Sequence, residues 1–326
     1  MDRDRKGEKS SGELTIVTGF LDFGRGEHKE QTRSSRNYLE YFRGWARLQN
    51  NVIVYTSQEL APRVKEIRRE FGREDQTIVN VIDDIRKIEP EILSAMEKIE
   101  KKGVFREWRA RDYDVSNLAM YNYIVMLKFW MMQDAAAKNP DADMLVWLDF
   151  GWNHGGKRFP IEEEFDFLWQ YQFEKDQVHL FAKEQPDREV GFIKLQLMTD
   201  GIMSGLFACT PQNSGILYEY IKEAMWSLLS IDAMDDDQML LTMAYKRHPE
   251  LFKIYKSDWF LPMKEYGGSH LTVREDPGKT KRQTLHNIRR RGLRKTVELF
   301  YIQFIRKSTV EKYDLEKRIH SLFRDF

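Results

Sequence analysis

The stretch Asp143–Gly151, DMLVWLDFG, decides how this chain is read. Five consecutive apolar residues, Met144 to Leu148, suit a central strand covered on both faces, because a strand with one wet face would alternate apolar with polar residues. Asp149 then stands at the carboxyl end of that strand, the edge at which open α/β sheets bind their ligands. Asp141 and Asp143 form an Asp-Ala-Asp triplet at the other end. At about 3.3 Å per residue it begins roughly 20 Å away, too far to share a site with Asp149.

Upstream of this strand, apolar runs and amphipathic stretches alternate. LTIVTGF (Leu14–Phe20), NVIVYT (Asn51–Thr56) and QTIVNVI (Gln76–Ile82) read as strands. Between them lie SSRNYLEYFRGWARLQ, with Ser34 or Ser35 as cap, and LAPRVKEIRREFG, closed by Gly72; EPEILSAMEKIEKKG, closed by Gly103, follows. Alternation of this kind implies a parallel sheet with helical crossovers. YDVSNLAMYNYIVMLKFWMMQDAAAKNP reads as one long helix capped near Asp114 or Ser116 and stopped by Asn139 and Pro140. Its apolar residues nearly encircle it, so it should lie deep against the sheet.

After Gly151 the pattern changes. QVHLFAK, VGFIKLQLMT and GIMSGLFACT are expected to be shorter strands in an antiparallel or mixed extension of the sheet. One helix is expected from Thr210, with Pro211 at its first position, and another from the acidic stretch MDDDQMLLTMAYKRHP.

Several function classes are excluded early. Lys plus Arg and Asp plus Glu both total 52, so there is no global electrostatic case for a nucleic-acid binder. The single Cys209 rules out an intramolecular disulfide framework and any CxxC metal site, which points to a reducing cytoplasm. Residues 1–13 have no apolar signal core, and no uninterrupted apolar run is long enough to span a bilayer. The tail, residues 279–326, carries fourteen Lys and Arg against five Asp and Glu. Its segment NIRRRGLRKTVELFYIQFIRK suits a basic amphipathic helix packed on the domain or lying on an anionic inner-membrane face. The expected division is therefore a disordered N-terminus (1–13), one domain (14–278) and the basic helical tail (279–326).

LDFG occurs twice, at Leu21–Gly24 and Leu148–Gly151. A kinase would need a glycine-rich loop, a strand lysine and an HRD loop before its DFG, and none is present. The flanking sequences differ, so the tetrapeptide is not an internal repeat either. What Asp149 does suit is metal-assisted transfer of a sugar from a nucleotide diphosphate. That chemistry wants a hard cation held by carboxylate oxygen at a sheet's carboxyl edge, where it neutralises the leaving diphosphate.

TIVTGFLDFGRG, YLEYFRGWARLQNNVIVYT, YDVSNLAMYNYIVMLKFWMM and MLVWLDFGWNHGG together resemble the bacterial HtrL/YibB family, associated with lipopolysaccharide and capsule gene regions. That family looks like the GT-A glycosyltransferases. The resemblance covers most of residues 14–260 and implies a GT-A-like α/β fold: a mixed, mainly parallel sheet flanked by helices, with a nucleotide sugar at its carboxyl edge. It implies a UDP-sugar or similar donor, a surface-glycan or lipid-linked acceptor, and Mn²⁺ or Mg²⁺. Asp149 falls at the metal motif, and Gly151 stands where many such enzymes carry a second Asp. His154 and His270 become candidates for the missing ligand, since neutral imidazole binds Mn²⁺ well; each could equally be a structural imidazole.

The resemblance also sets Asp236, Asp237 and Gln238 facing the acceptor, as base if configuration inverts or as stabiliser of the oxocarbenium-like centre if it is retained. Carboxylates at a helix start are also ordinary caps. Ser204 and Gly205 would line the donor sugar, and Asn117, Tyr121 and Lys128 would reach the diphosphate from the long helix. A buried Lys needs such an anion nearby, although one at a helix edge can snorkel. Position alone assigns Thr18, Gly19, Phe20 and Arg25, at the end of the first strand, to the nucleotide, with Asp22 ordering the loop or holding a ribose hydroxyl. Two rival readings share the scaffold: a non-catalytic nucleotide-sugar or glycan binder, suggested by the absent second Asp, and a sugar nucleotidyltransferase, which should carry a Gly- and Lys-rich phosphate loop.

Overall fold

The computed structural model describes residues 12–22, 34–109, 115–183, 186, 191–198, 201–274, 293 and 310–324. Seven strands form one sheet: β1 (Leu14–Phe20), β2 (Val52–Thr56), β3 (Thr77–Val81), β4 (Met144–Leu148), β5 (Val178–Ala182), β6 (Ile202–Cys209) and β7 (Phe252–Lys256). Their order is β3-β2-β1-β4-β6-β5-β7. The first four strands pair in parallel, β6 runs antiparallel to both β4 and β5, and β5 pairs with β7 in parallel. The mixed, mainly parallel sheet with an antiparallel extension is as expected from the sequence.

All five residues of β4 are buried, and they alternate between two cores. Leu145 and Trp147 face the layer of α3 (Pro90–Lys102), α5 (Ala119–Lys138), α7 (Pro211–Leu229) and α8 (Asp237–Arg247). Met144, Val146 and Leu148 face α1 (Ser35–Trp45), α2 (Ala61–Glu70) and the segment around Trp152, Phe159 and Phe165. Both faces are apolar, which is why the strand reads as an unbroken run. The same period of two puts Asp149 on the face of Trp147, toward α5.

Several helix boundaries follow the chemistry of their ends. Ser34 caps α1 in a reciprocal box with Asn37. Gly103 ends α3 in the left-handed conformation, at φ 72°. Thr210 caps α7, with Pro211 at its first position. The long helix departs from expectation at its start: a 3₁₀ turn, Val115–Asn117, precedes α5, and Leu118 rather than Asp114 or Ser116 holds the cap position without a side-chain bond.

A larger correction concerns VGFIKLQLMT, expected as a strand. Residues Gly191–Leu197 form the helix α6, with Lys194, Leu195, Gln196 and Leu197 buried. An apolar run this short does not distinguish the two periodicities, and both flanks of β5 are already filled by β6 and β7. β7 itself, FKIYK, was not legible as a strand in the sequence.

Of the basic tail, residues 279–292 and 294–309 lie outside the described residues. Its last part forms α10 (Val310–Leu322), following α4 (Val104–Trp108) and α9 (Pro262–Glu265) in chain order. Leu315 and Ile319 are fully buried in the core of the α5 layer, Arg318 pairs with Asp232 at 2.7 Å, and the His320 ring stacks on Phe192. No helix among the described residues is long and apolar enough to cross a membrane.

Because α10 contributes to the main core, Leu315→Ala should lower unfolding free energy by about 2–4 kcal/mol. Val310→Ala, at an exposed position, should change it little. Urea denaturation of the full chain measures both, and equal midpoints would show that α10 is not part of the cooperative unit.

Candidate active site

Lys128 occupies the middle of α5, on the side that meets the carboxyl end of β4. Its ammonium ion-pairs with Asp237, lies 3.3 Å from Asp149 Oδ1 and donates to the Ser204 carbonyl oxygen at 3.1 Å. Four elements thus meet at one nitrogen: the middle of a helix, the end of β4, the backbone of β6 and the first turn of α8. The Lys128 and Asp237 side chains are each 7% exposed, whereas Asp149 is 47% exposed. Burial by itself would lower the Lys128 pKa, but the two carboxylates outweigh it and hold the group above its ordinary value.

Asp149 is oriented from both sides. The Trp147 indole N–H, two residues earlier on the same face, donates to Oδ1 at 2.8 Å, and the Asp149 backbone N–H donates to the Gly205 carbonyl at 2.9 Å. β6 passes so close that a Cβ on Gly205 would lie 3.2 Å from Asp149 Oδ2. Lack of a side chain at 205 therefore leaves space for the carboxylate.

These groups form the floor of a cleft of about 460 Å³ at the carboxyl edge of the sheet. Gly19, Phe20, Tyr121, Lys128, Asp149, His154, Ser204, Gly205, Asp237 and Gln238 all line it. So do Leu21 and Asp22 of the first LDFG and Phe150 and Gly151 of the second, so the two copies converge on one cavity. Asp22 also accepts a hydrogen bond from the Ser35 hydroxyl, which ties the end of β1 to α1.

Other expected residues lie elsewhere. Thr18 is fully buried within β1 and does not line the cleft. Asn117 precedes α5 and accepts from Arg109 Nη1 at 3.4 Å. Arg109 in turn makes a buried ion pair with Asp235 at 2.6 Å, so Asn117 supports the approach to α8 from behind. His270 is exposed, outside the cleft, with Nε2 3.0 Å from the Glu164 carbonyl oxygen and its ring against Phe167. That contradicts its assignment as partner to Asp149. Arg25 lies outside the described residues.

Asp236 is a cap and not a cleft residue: its Oδ1 accepts from the Gln238 N–H at 3.1 Å and fixes the start of α8. Burial and the neighbouring Asp235 and Asp237 carboxylates push its pKa from 3.8 up to about 8.

The cleft's outer wall is built of residues that sequence reasoning missed. Tyr38 stacks on Phe20 with centroids 4.5 Å apart, and Trp259 and Phe260 face it from the loop after β7. That loop is tied down by Asp258, which accepts from the Phe260 and Leu261 N–H groups and pairs with Arg158 at 3.3 Å. Lys157 and His154 come from a strained turn in which Asn153 and His154 have φ of 62° and 44°. The buried Asn153 side chain holds that turn by bonds to the N–H groups of Arg158 and Phe159 and to the Phe159 carbonyl. A Trp-Phe pair just past a strand with no apolar period of its own was the one available hint.

A family model described as "Bacterial protein of unknown function (HtrL_YibB)" matches residues 12–266. The chain belongs to the HtrL_YibB family. It is 28% identical over 268 residues to Protein HtrL of Escherichia coli (strain K12), covering 76% of this chain and 90% of that protein. Among solved structures it is similar to mouse xyloside xylosyltransferase 1 in its apo form, at 15% identity and a TM-score of 0.39, over 74% of this chain and 84% of that one. It is also similar to a glycosyltransferase involved in glycosylating the major capsid of PBCV-1, at 12% identity and a TM-score of 0.34, over 84% of this chain and 98% of that one. Likenesses this loose carry no functional argument, and the cleft of this HtrL_YibB protein must speak for itself.

The implied Mn²⁺ or Mg²⁺ can be tested against that cleft. Asp149 and His154 line it together, but no group of three His, Cys, Asp or Glu side chains placed to hold an ion occurs among the described residues. Asp237 is engaged by Lys128, whose ammonium also stands beside Asp149. A divalent ion at these oxygens would meet a like charge, so this donor set does not fit a metal.

The raised Asp236 pKa has a signed consequence for stability. Between about pH 4 and pH 8 the folded state binds a proton that the unfolded state has lost, so stability falls as pH rises through that window. Asp236→Asn keeps a capping oxygen and removes the titration. Its Tm should fall less than that of wild type from pH 5 to pH 8 and exceed it at pH 8. Parallel Tm curves would contradict this assignment.

Proposed function

We propose that this HtrL_YibB protein is a glycosyltransferase that moves a sugar from a nucleotide-diphosphate donor, such as a UDP-sugar, to a hydroxyl of a glycan or lipid-linked acceptor. The observation that carries the reading is the Asp149–Lys128–Asp237 cluster at the floor of an aromatic-walled cleft, at the carboxyl ends of parallel strands.

Each part of the cleft has work that suits this chemistry. Phe20 and Tyr38, at the end of β1, offer flat apolar surface for a base, and Asp22 beside them offers an acceptor for a ribose hydroxyl. Exposed Lys157 and buried Lys128, both in the cavity's lining, supply positive charge for the diphosphate. Trp259 and Phe260 suit the apolar faces of sugar rings. In the transfer, the bond from the anomeric carbon to the diphosphate oxygen breaks and its electron pair leaves with the diphosphate. The acceptor oxygen forms the new bond and gives up its proton, to the Asp237 carboxylate if configuration inverts or to the departing diphosphate if it is retained. Ammonium charge held in a recessed site stabilises the leaving group as its charge develops. Asp237 and Gln238 line the cleft at the first turn of α8, and in this reading they meet the sugar and the acceptor hydroxyl.

A screen of nucleotide sugars should find a donor that raises the Tm, since ligand binding to the native state at 100 times its Kd adds about 2.7 kcal/mol. With that donor and a glycan acceptor, Asp237→Asn should lower turnover by at least roughly 10²-fold. A Tm shift without turnover would favour the non-catalytic binder. Release of diphosphate from a nucleoside triphosphate and a sugar phosphate would favour the nucleotidyltransferase. No shift with any nucleotide sugar would sink the glycosyltransferase reading.

A further inference from the structure

Two features of the cleft have one explanation. The first is the Lys128 ammonium, surrounded by oxygens of Asp149, Asp237 and Ser204. Carboxylate, carboxylate and carbonyl oxygen form a donor set that a hard cation would take, and here a side chain's own cation takes it. The second is Gly151, where the metal motif implied by the family resemblance would carry its second carboxylate. A Cβ at that position would lie 2.8 Å from Tyr38 Cε1 and 2.9 Å from Cδ1, inside contact distance. The Tyr38 ring is itself held by Phe20 on one side, with Tyr41 at 5.9 Å on another. The space a second carboxylate would need is filled by an aromatic ring, and the place its cation would take is filled by an ammonium.

We propose that Lys128 is the resident cation of this cleft, replacing a divalent metal between Asp149, Asp237 and the Ser204 carbonyl, so that the protein binds a nucleoside diphosphate without a metal ion. The two carboxylates have a positioning role: they hold the ammonium protonated and at a fixed point, where mobile solvent-exposed lysines could not preorganise it. Trp147 assists by fixing Asp149 through the indole N–H and by placing its ring 5.5 Å from the ammonium. The consequence for catalysis rests on the glycosyl-transfer reading, whereas the cation chemistry can be tested without it.

The test uses the full chain, stripped of metal with EDTA, and reads free Mn²⁺ by electron paramagnetic resonance. Wild type alone should leave the Mn²⁺ signal unchanged. Lys128→Ala should take up one Mn²⁺ per chain, and Lys128→Ala with Asp149→Asn should lose it. Lys128→Met, which keeps the stem's volume, repeats the measurement if the Ala variant is poorly folded. An Asp149-dependent Mn²⁺ site in wild type would overturn the proposal, and so would a folded Lys128 variant with no Mn²⁺ uptake.

A second arm titrates UDP by calorimetry in EDTA and in Mn²⁺. The dissociation constants should agree within about threefold, whereas a metal-requiring site would differ by at least about tenfold, which overturns the proposal. If UDP binds under neither condition, the nucleotide-sugar reading fails, and the Mn²⁺ arm still decides whether Lys128 holds the cation's place.

Discussion

The ion pair between Lys128 and Asp237, shared with Asp149, is the constraint around which the cleft is built. An ammonium this deeply buried is stable only with its charge and its donors satisfied. Its three oxygen partners come from β4, β6 and α8, and Lys128 comes from α5. Satisfying one nitrogen therefore fixes where the antiparallel strand, the central helix and the acidic helix start must lie relative to one another. Removing one partner would leave an uncompensated buried charge, which typically costs about 3–5 kcal/mol. The arrangement is thus a structural clasp as well as a site.

Around that clasp, small residues and caps set the shape. Gly205 lets β6 pass beside the Asp149 carboxylate, and Gly151 lets Tyr38 close over the end of β4. The start of α8 is pinned from behind by the buried Arg109–Asp235 pair and by the Asp236 cap, so Asp237 is aimed by its neighbours. Four acidic or basic groups that look redundant in the sequence thereby separate into distinct tasks: Asp235 anchors, Asp236 caps, Asp237 holds the ammonium, and Arg109 balances the first of them.

How much of this could be read from the residues depended on whether the signal was local. β4 was legible because an unbroken apolar run has one good explanation in a sheet, and Asp149's place at its end followed from counting. The requirement for an anion beside Lys128 was also legible, but the anions proved to be carboxylates of the chain itself, 21 and 109 positions away in sequence, which no local pattern reveals. Gly151 read as a missing ligand; only the position of Tyr38 shows that it is a space kept for a ring. VGFIKLQL failed because its short apolar run is ambiguous between helix and strand, and His270 failed because a chemically suitable residue has no address until the chain is folded. Trp259 and Phe260 wall the cleft from a loop that offers neither periodicity nor motif.

A competing cavity of about 370 Å³ lies at the amino edge of the sheet, lined by Thr15, Asn51, Gln76, Lys138 and Asp141 among others. It gives the account a direct test. A crystal structure of the full chain with a nucleotide sugar should show the diphosphate in the carboxyl-edge cleft, on the side of Lys128, with the base near Phe20 and Tyr38. Ligand density at the amino-edge cavity, or a diphosphate in the cleft that turns away from Lys128, would contradict it.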